Sequence, residues 1–163
     1  MQLSAKANMA QVLYGDRIGQ EGELRVGSCA VIFDPNREKV LLTRRSDNGL
    51  WCLPGGRMEP GESIEECCCR EVFEETGLVI ETGRLIGVYS NRDQLVVYKD
   101  GAKVQMIVLC FEAVITGGAL GTSRETTEAG YFAFAELDGL EFHDRHKDRI
   151  LDALANSPTP VLR

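Results

Sequence analysis

No apolar run in this 163-residue chain approaches the ~20 residues that a bilayer-spanning helix needs. The first twenty residues lack a basic segment followed by an apolar core, so they do not read as a secretory signal. The cytoplasm is therefore the default location. Positive charge is also scarce: 18 Lys and Arg against 25 Asp and Glu leave a net charge of −7. Such a chain has no bulk attraction for duplex DNA, RNA or an anionic membrane, and an anionic substrate needs local help from cations or arginines. No internal repeat, low-complexity tract or linker divides the sequence, and its length suits one domain.

Cysteine is not scarce, since there are six, but their arrangement argues against a disulfide scaffold. Cys67, Cys68 and Cys69 are consecutive within a predicted helix, so they cannot bridge one another or converge as a tetrahedral metal set. Cys29, Cys52 and Cys110 each lie in an apolar stretch and read as small hydrophobes. Reduced, packed thiols are expected, with a redox or metal role as the alternative.

Strand patterns appear at Leu24–Phe33 and Lys39–Thr43, joined by the turn "DPNRE", and together they predict a hairpin. Further strands are expected at Arg84–Tyr89, Val104–Val114 and "YFAFAEL". "SNRDQLVVYKDGAK" is expected to hold a short strand and a turn at Asp100-Gly101, and "ITGGALGTSRETTEAG" reads as a long loop. "VLYGDRIG" predicts a short strand and turn near the start, and "FHDRHKDRILDALANS" a closing helix striped by Ile150, Leu151 and Leu154. Residues 1–22 thus form an N-terminal extension or short strand, residues 23–156 the domain, and residues 157–163 a tail. Antiparallel edge strands and the extension admit a homodimer contact.

The densest signal is "GGRMEPGESIEECCCREVFEETGL", Gly55–Leu78, where seven glutamates surround the three cysteines. Helix length runs from Ser63 to Glu75, and Gly77 is placed as a cap just past its end. On that helix Glu71, Glu74 and Glu75 occupy i, i+3 and i+4 and share an arc of about 100°. Like charges at that spacing repel and raise one another's pKa unless a cation neutralises them. Oxygen ligands of this kind suit Mg²⁺, Mn²⁺ or Ca²⁺. A solvated acidic face is the competing explanation of the spacing. Gly55-Gly56 permits a close backbone turn with inward carbonyls, and Pro60-Gly61-Glu62 sets the entry to the helix. A helix that only meets solvent does not need that preparation.

Gly56, Glu62 and the run Arg70-Glu71-Val72-Phe73-Glu74-Glu75-Thr76-Gly77-Leu78, at their spacing, match every fixed position of the Nudix signature, so the chain resembles the Nudix hydrolases. The resemblance implies an αβα sandwich around a mixed sheet, with residues 23–156 as the Nudix domain. It also implies hydrolysis of a nucleoside diphosphate linked to another moiety, dependent on Mg²⁺ or Mn²⁺. By the same resemblance, Glu71, Glu74 and Glu75 with the Gly56 carbonyl are the implied metal ligands. Arg70 would orient Glu71 or Glu74, while Glu62 would tie the loop to the helix and Gly77 would close it.

The general base is left open among Glu71, Glu125 and Glu128, the last two being equally at home in an ordinary polar loop. Arg44, Arg45 and Arg57 flank the predicted cleft and can meet phosphates, or else lie on the surface. Trp51, Tyr89, Phe132 and Phe134 can stack on a base, or pack in the core. His143 and His146 read as surface residues. Relatives acting on ADP-ribose often carry a proline past the signature, but this chain has none between Pro60 and Pro158. The tyrosine typical of dinucleoside-polyphosphate relatives is replaced by Leu95, with Tyr98 only nearby. The expected partner is a small nucleotide, with a catalytically weak nucleotide-binding module or a purely structural protein as alternatives.

Overall fold

Two strands carry apolar side chains on both faces, and they determine the layering. In β2 (Glu23–Val31) and β3 (Lys39–Arg45) successive side chains point to opposite sides. Ala30 and Leu41 turn toward helix α1 (Ile64–Thr76), where they meet Cys68 and Val72. Cys29, Val31, Val40 and Leu42 turn the other way, toward Ile150 and Ala153 of helix α2 (His146–Ala155). Strands buried on both faces read as continuous apolar runs rather than alternating ones, which explains "CAVIF" and "VLL". The result is an αβα sandwich, as the signature implies. The computed structural model describes residues 11–163, so residues 1–10 of the predicted extension lie outside the described residues.

The larger sheet has seven strands and is mixed. Its axis is β8 (Lys103–Gly118), parallel to β2 along Glu23–Val31 and antiparallel to β6 (Leu78–Tyr89) and β7 (Gln94–Val97). β1 (Gln11–Tyr14) extends it beyond β7, and β5 (Gly55–Arg57) pairs with β2. A smaller antiparallel sheet contains β4 (Trp51–Cys52), β3 and β9 (Thr126–Ala133). Among the described residues no helix is long and apolar enough to cross a membrane. All six cysteines are free.

Five expectations need correction. The predicted hairpin opens: β2 and β3 touch through the Phe33–Val40 bridge and the Leu41 amide on the Ile32 carbonyl, then enter different sheets. The edges of β2 are taken by β8 and β5, so β3 has no ladder to join. The long loop is shorter than expected, because β8 continues to Gly118 and β9 begins at Thr126. Gly118 can pair there because a Cβ at that position would collide with the backbone of Gly77 and Leu78.

The C-terminal tail contains strand β10 (Val161–Leu162), parallel to β6, and Arg163 forks onto Asp152 at 2.8 and 2.9 Å. Two residues after a Pro-Thr-Pro carry no periodicity to reveal such a strand. Finally, α2 buries Arg149, Ile150 and Ala153, leaving Leu151 and Leu154 exposed. A 3₁₀ turn over Phe134–Gly139 ends the segment read as strand, and it delivers the chain to α2.

A capping box starts α1: Ser63 Oγ accepts from the Glu66 amide at 3.2 Å, and the Glu66 carboxylate accepts from the Ser63 amide at 2.7 Å. Gly77, at φ 74°, ends the helix in the left-handed conformation, its amide on the Phe73 carbonyl at 2.8 Å. Ser63→Ala is expected to cost about 1 kcal/mol of stability, read as a lower urea midpoint with an unchanged slope. An unmoved midpoint would show that the Pro60-Gly61 turn alone holds the helix start.

Candidate active site

The signature loop and α1 meet where β5 leaves β2. Gly56 lies opposite Ser28 in the ladder, and a Cβ built on it would overlap the Glu71 carboxyl group. A side chain at that position would make the carboxylate shift from its place beside the strand. Arg70 then binds the loop to the helix. Its guanidinium donates to Glu62 through both Nε and Nη2, to Glu71 at 2.9 Å, to Glu74 at 3.2 Å, and to the Arg57 carbonyl at 3.0 Å. A planar fork of five donors can do this; an ammonium cannot. The Arg70 hydrogen bonds and the Glu59 amide hold the Glu62 carboxyl down to about 2.

The three helix glutamates have different surroundings. Glu74 is exposed, Glu71 is half-buried, and Glu75 is only 8% exposed. Burial raises the Glu71 pKa despite Arg70. Burial also pushes Glu75 up to about 8, against the hydrogen bond it accepts from the Gly55 amide at 3.1 Å and with the charge of Glu71 adding to the rise. Among the described residues no three His, Cys, Asp or Glu side chains stand ready-formed around an ion position. The physical reason is visible, since Arg70 occupies Glu71 and Glu74 while Glu75 turns to the backbone.

Loop 119–125 is tied to the end of α1. Thr126 Oγ1 donates to the Glu75 carbonyl at 2.9 Å, and the Gly121 amide donates to the Thr76 carbonyl at 2.8 Å. This brings Glu125 into a cleft of about 170 Å³ with Glu71, Glu74 and Glu75. Glu128 goes elsewhere, into an ion pair with Arg44 at 2.6 Å. The two glutamates are three residues apart, but one stands before β9 and the other within it, so the fold separates them.

A second cavity, of about 150 Å³, opens on the α2 side, and Gly55, Gly56 and Arg57 form part of its wall. Arg45 also lines it, its guanidinium held by Asp47 at 2.9 and 2.7 Å. Arg44 instead lies over Trp51, 5.9 Å from the ring centre. Trp51 itself packs edgewise on Phe132 at 4.6 Å. Tyr89 is buried, with its hydroxyl donating to Asp152 at 3.0 Å, and Phe134 packs edgewise on Phe33 at 6.0 Å.

The histidines are a correction: His143 and His146 line this cavity instead of the surface. The chain before α2 is drawn inward by the His143 amide on the Trp51 carbonyl at 2.8 Å, and His146 Nδ1 accepts from the Leu53 amide at 3.1 Å. Burial pushes His143 down to about 4 and holds His146 well below the ordinary imidazole value. Gln94, Asp144 and Arg149, which no sequence argument singled out, also face the cavity. They come from β7, the α2 approach and α2, so no local motif could have joined them.

Comparison with known proteins agrees with this architecture. The NUDIX domain family matches residues 23–154, and the chain belongs to the Nudix hydrolase family. An ADP-ribose pyrophosphatase of Methanocaldococcus jannaschii is 36% identical over 107 residues, 64% of this chain and 60% of that protein. A MutT-like protein of Streptomyces ambofaciens is 36% identical over 116 residues, covering 71% of this chain and 68% of its own. Among solved structures, a NUDIX hydrolase from Nitrosomonas europaea superposes with a TM-score of 0.69 at 24% identity. It covers 85% of this chain and 94% of that one, and shows the shared fold.

Because the folded Glu75 pKa, about 8, exceeds its ordinary 4.5, the folded state binds the proton more tightly than the unfolded chain. Stability in the presence of a chelator should therefore fall as pH rises from about 4.5 to about 8. Glu75→Gln removes the titration and should flatten that slope in urea unfolding at stepped pH. An equal slope in both proteins would refute the assignment.

Proposed function

We propose that this chain hydrolyses a nucleoside diphosphate linked to another moiety, with a divalent cation held by the helix glutamates. The observation that carries this reading is the double role of Gly55-Gly56. One side crowds Glu71 in the acidic cleft, while the other lines the cavity behind β5. A substrate crossing that wall would have its nucleoside in the cavity and its diphosphate beside the carboxylates.

The donor set fits Mg²⁺ or Mn²⁺. Glu71, Glu74, Glu75 and the Gly56 carbonyl offer only oxygen, and burial leaves Glu71 and Glu75 disfavoured as free anions. When bound, the cation would neutralise phosphate charge and lower the pKa of the attacking water. Arg70 keeps the carboxylates oriented, and Arg57 and Arg45 at the cavity would meet phosphate oxygens. Glu125 is the favoured base, because it shares the cleft with the proposed ligands while Glu128 is engaged by Arg44. The products are a nucleoside monophosphate and a phosphorylated group, or pyrophosphate where the leaving group is phosphate alone.

The test is phosphate release through a coupled phosphatase from NDP-sugars, ADP-ribose, dinucleoside polyphosphates and dNTPs, with Mg²⁺ and then Mn²⁺. Turnover of one class, abolished by chelation and lowered roughly 10²-fold or more by Glu75→Gln, is the expected result. Folded, metal-binding protein without turnover would favour a nucleotide-binding module instead. With the substrate in hand, Glu125→Gln should lower kcat on the order of 10²-fold and Glu128→Gln only a few-fold. The reverse order would move the base to Glu128.

A further inference from the structure

The strand that follows the Glu125 loop carries one extra residue. Arg44 lies opposite Glu128 and Arg45 opposite Thr126, so Thr127 is left over between them as a β-bulge. In an unbroken strand Thr126 and Glu128 would share a face. Here Thr126 is 2% exposed, while Thr127 and Glu128 are both exposed. A bulge can re-aim a side chain in this way, and this one turns the Thr126 hydroxyl onto the end of α1.

That hydroxyl is the centre of a short network in which its whole capacity is used. The last carbonyls of a helix lack partners within it, and Thr126 Oγ1 donates its single hydrogen to the Glu75 carbonyl at 2.9 Å. The same oxygen accepts from the Ser123 amide at 2.9 Å. Ser123 Oγ, 3.2 Å away, must then donate to it as well. The lone pairs of Ser123 Oγ in turn accept from the Glu125 amide at 3.1 Å. On its other side, the Glu125 carbonyl accepts from the Ser46 amide at 2.9 Å. Glu125 is thus held at both of its backbone groups, and one hold runs through Thr126 to the backbone of Glu75.

We propose that Thr126 is a positioning residue, whose hydroxyl locks the Glu125 loop to the glutamate helix and so fixes the base at the acidic cleft. The inference rests on the reading of Glu125 as that base. A valine at this position fills similar space but leaves the Glu75 carbonyl and the Ser123 amide without their partner. A serine keeps the hydroxyl.

Two measurements test this, one of them without metal or substrate. In the metal-free protein, Thr126→Val should speed hydrogen exchange of the Ser123 and Glu125 amides about tenfold or more, with β2 amides unchanged, and Thr126→Ser should not. With the substrate in hand, Thr126→Val should lower kcat roughly tenfold, as expected of a displaced catalytic group, with KM within about twofold. Thr126→Ser should recover most of that rate. In a Glu125→Gln background, Thr126→Val should cost less than about twofold more, because it acts through the group already removed. If Thr126→Val fails a circular-dichroism folding check, Ser123→Ala, which removes the acceptor of the Glu125 amide, must show the same loss and the same non-additivity. Unchanged exchange, an unchanged kcat, no recovery by serine, equal losses with and without Glu125, or a rate insensitive to Glu125→Gln would overturn the proposal. Wild-type protein without turnover would sink the hydrolase reading, and the exchange result would then decide whether the hydroxyl locks the loop. Turnover with fully additive losses would sink this inference and leave that reading standing.

Discussion

The guanidinium of Arg70 holds together what the sequence places at odds. It reaches Glu62, Glu71, Glu74 and the Arg57 carbonyl at once, and so turns a stretch crowded with like charge into a braced corner. Without it, α1 would present carboxylates at i, i+3 and i+4 with nothing opposing their repulsion. With it, the loop before the helix is fixed relative to the helix itself, and Gly56 sits close under Glu71. Glu75 is the one helix glutamate of the three outside this clamp, and burial pushes its pKa up to about 8.

That corner can exist because the layers behind it are rigid. β2 and β3 supply side chains to cores on both of their faces, so α1 and α2 are referenced to the same strands. Close packing of the α1 layer also accounts for two of the three consecutive cysteines. Cys67 and Cys68 are fully buried, and the Ser28 hydroxyl lies 3.2 Å from the Cys67 sulfur. Small, weakly polar side chains permit the helix to lie near the sheet.

The acidic cleft and the α2-side cavity differ in how far they were legible. The cleft is mostly local, since helix periodicity brings Glu71, Glu74 and Glu75 together and the signature spacing adds Gly56, Glu62 and Arg70. Glu125 joins only because loop 119–125 is bonded to the end of α1, and nothing in "SRETTEAG" distinguishes it from Glu128. In the cavity, His143 and His146 lie on a polar-looking segment whose inward turn depends on backbone bonds to Trp51 and Leu53. No sequence pattern singles out Arg149, and it is buried because α2 docks through Ile150 and Ala153 rather than through its leucines.

The sequence by itself determined the helix of the signature, its glycine end, the carboxylates on one face, the family and the sandwich with its mixed sheet. The helix, its end and its carboxylate face follow from spacings of a few residues, where chain geometry leaves little choice, while the family and the sandwich are what the resemblance to the Nudix signature implies. Only the tertiary structure decided that the first hairpin opens, that the terminal residues form a strand, which loop glutamate joins the cleft, and which α2 side chains face the cavity. Each of those depends on which strand edge or helix face is already occupied by a partner distant in the chain, and no local pattern records that competition.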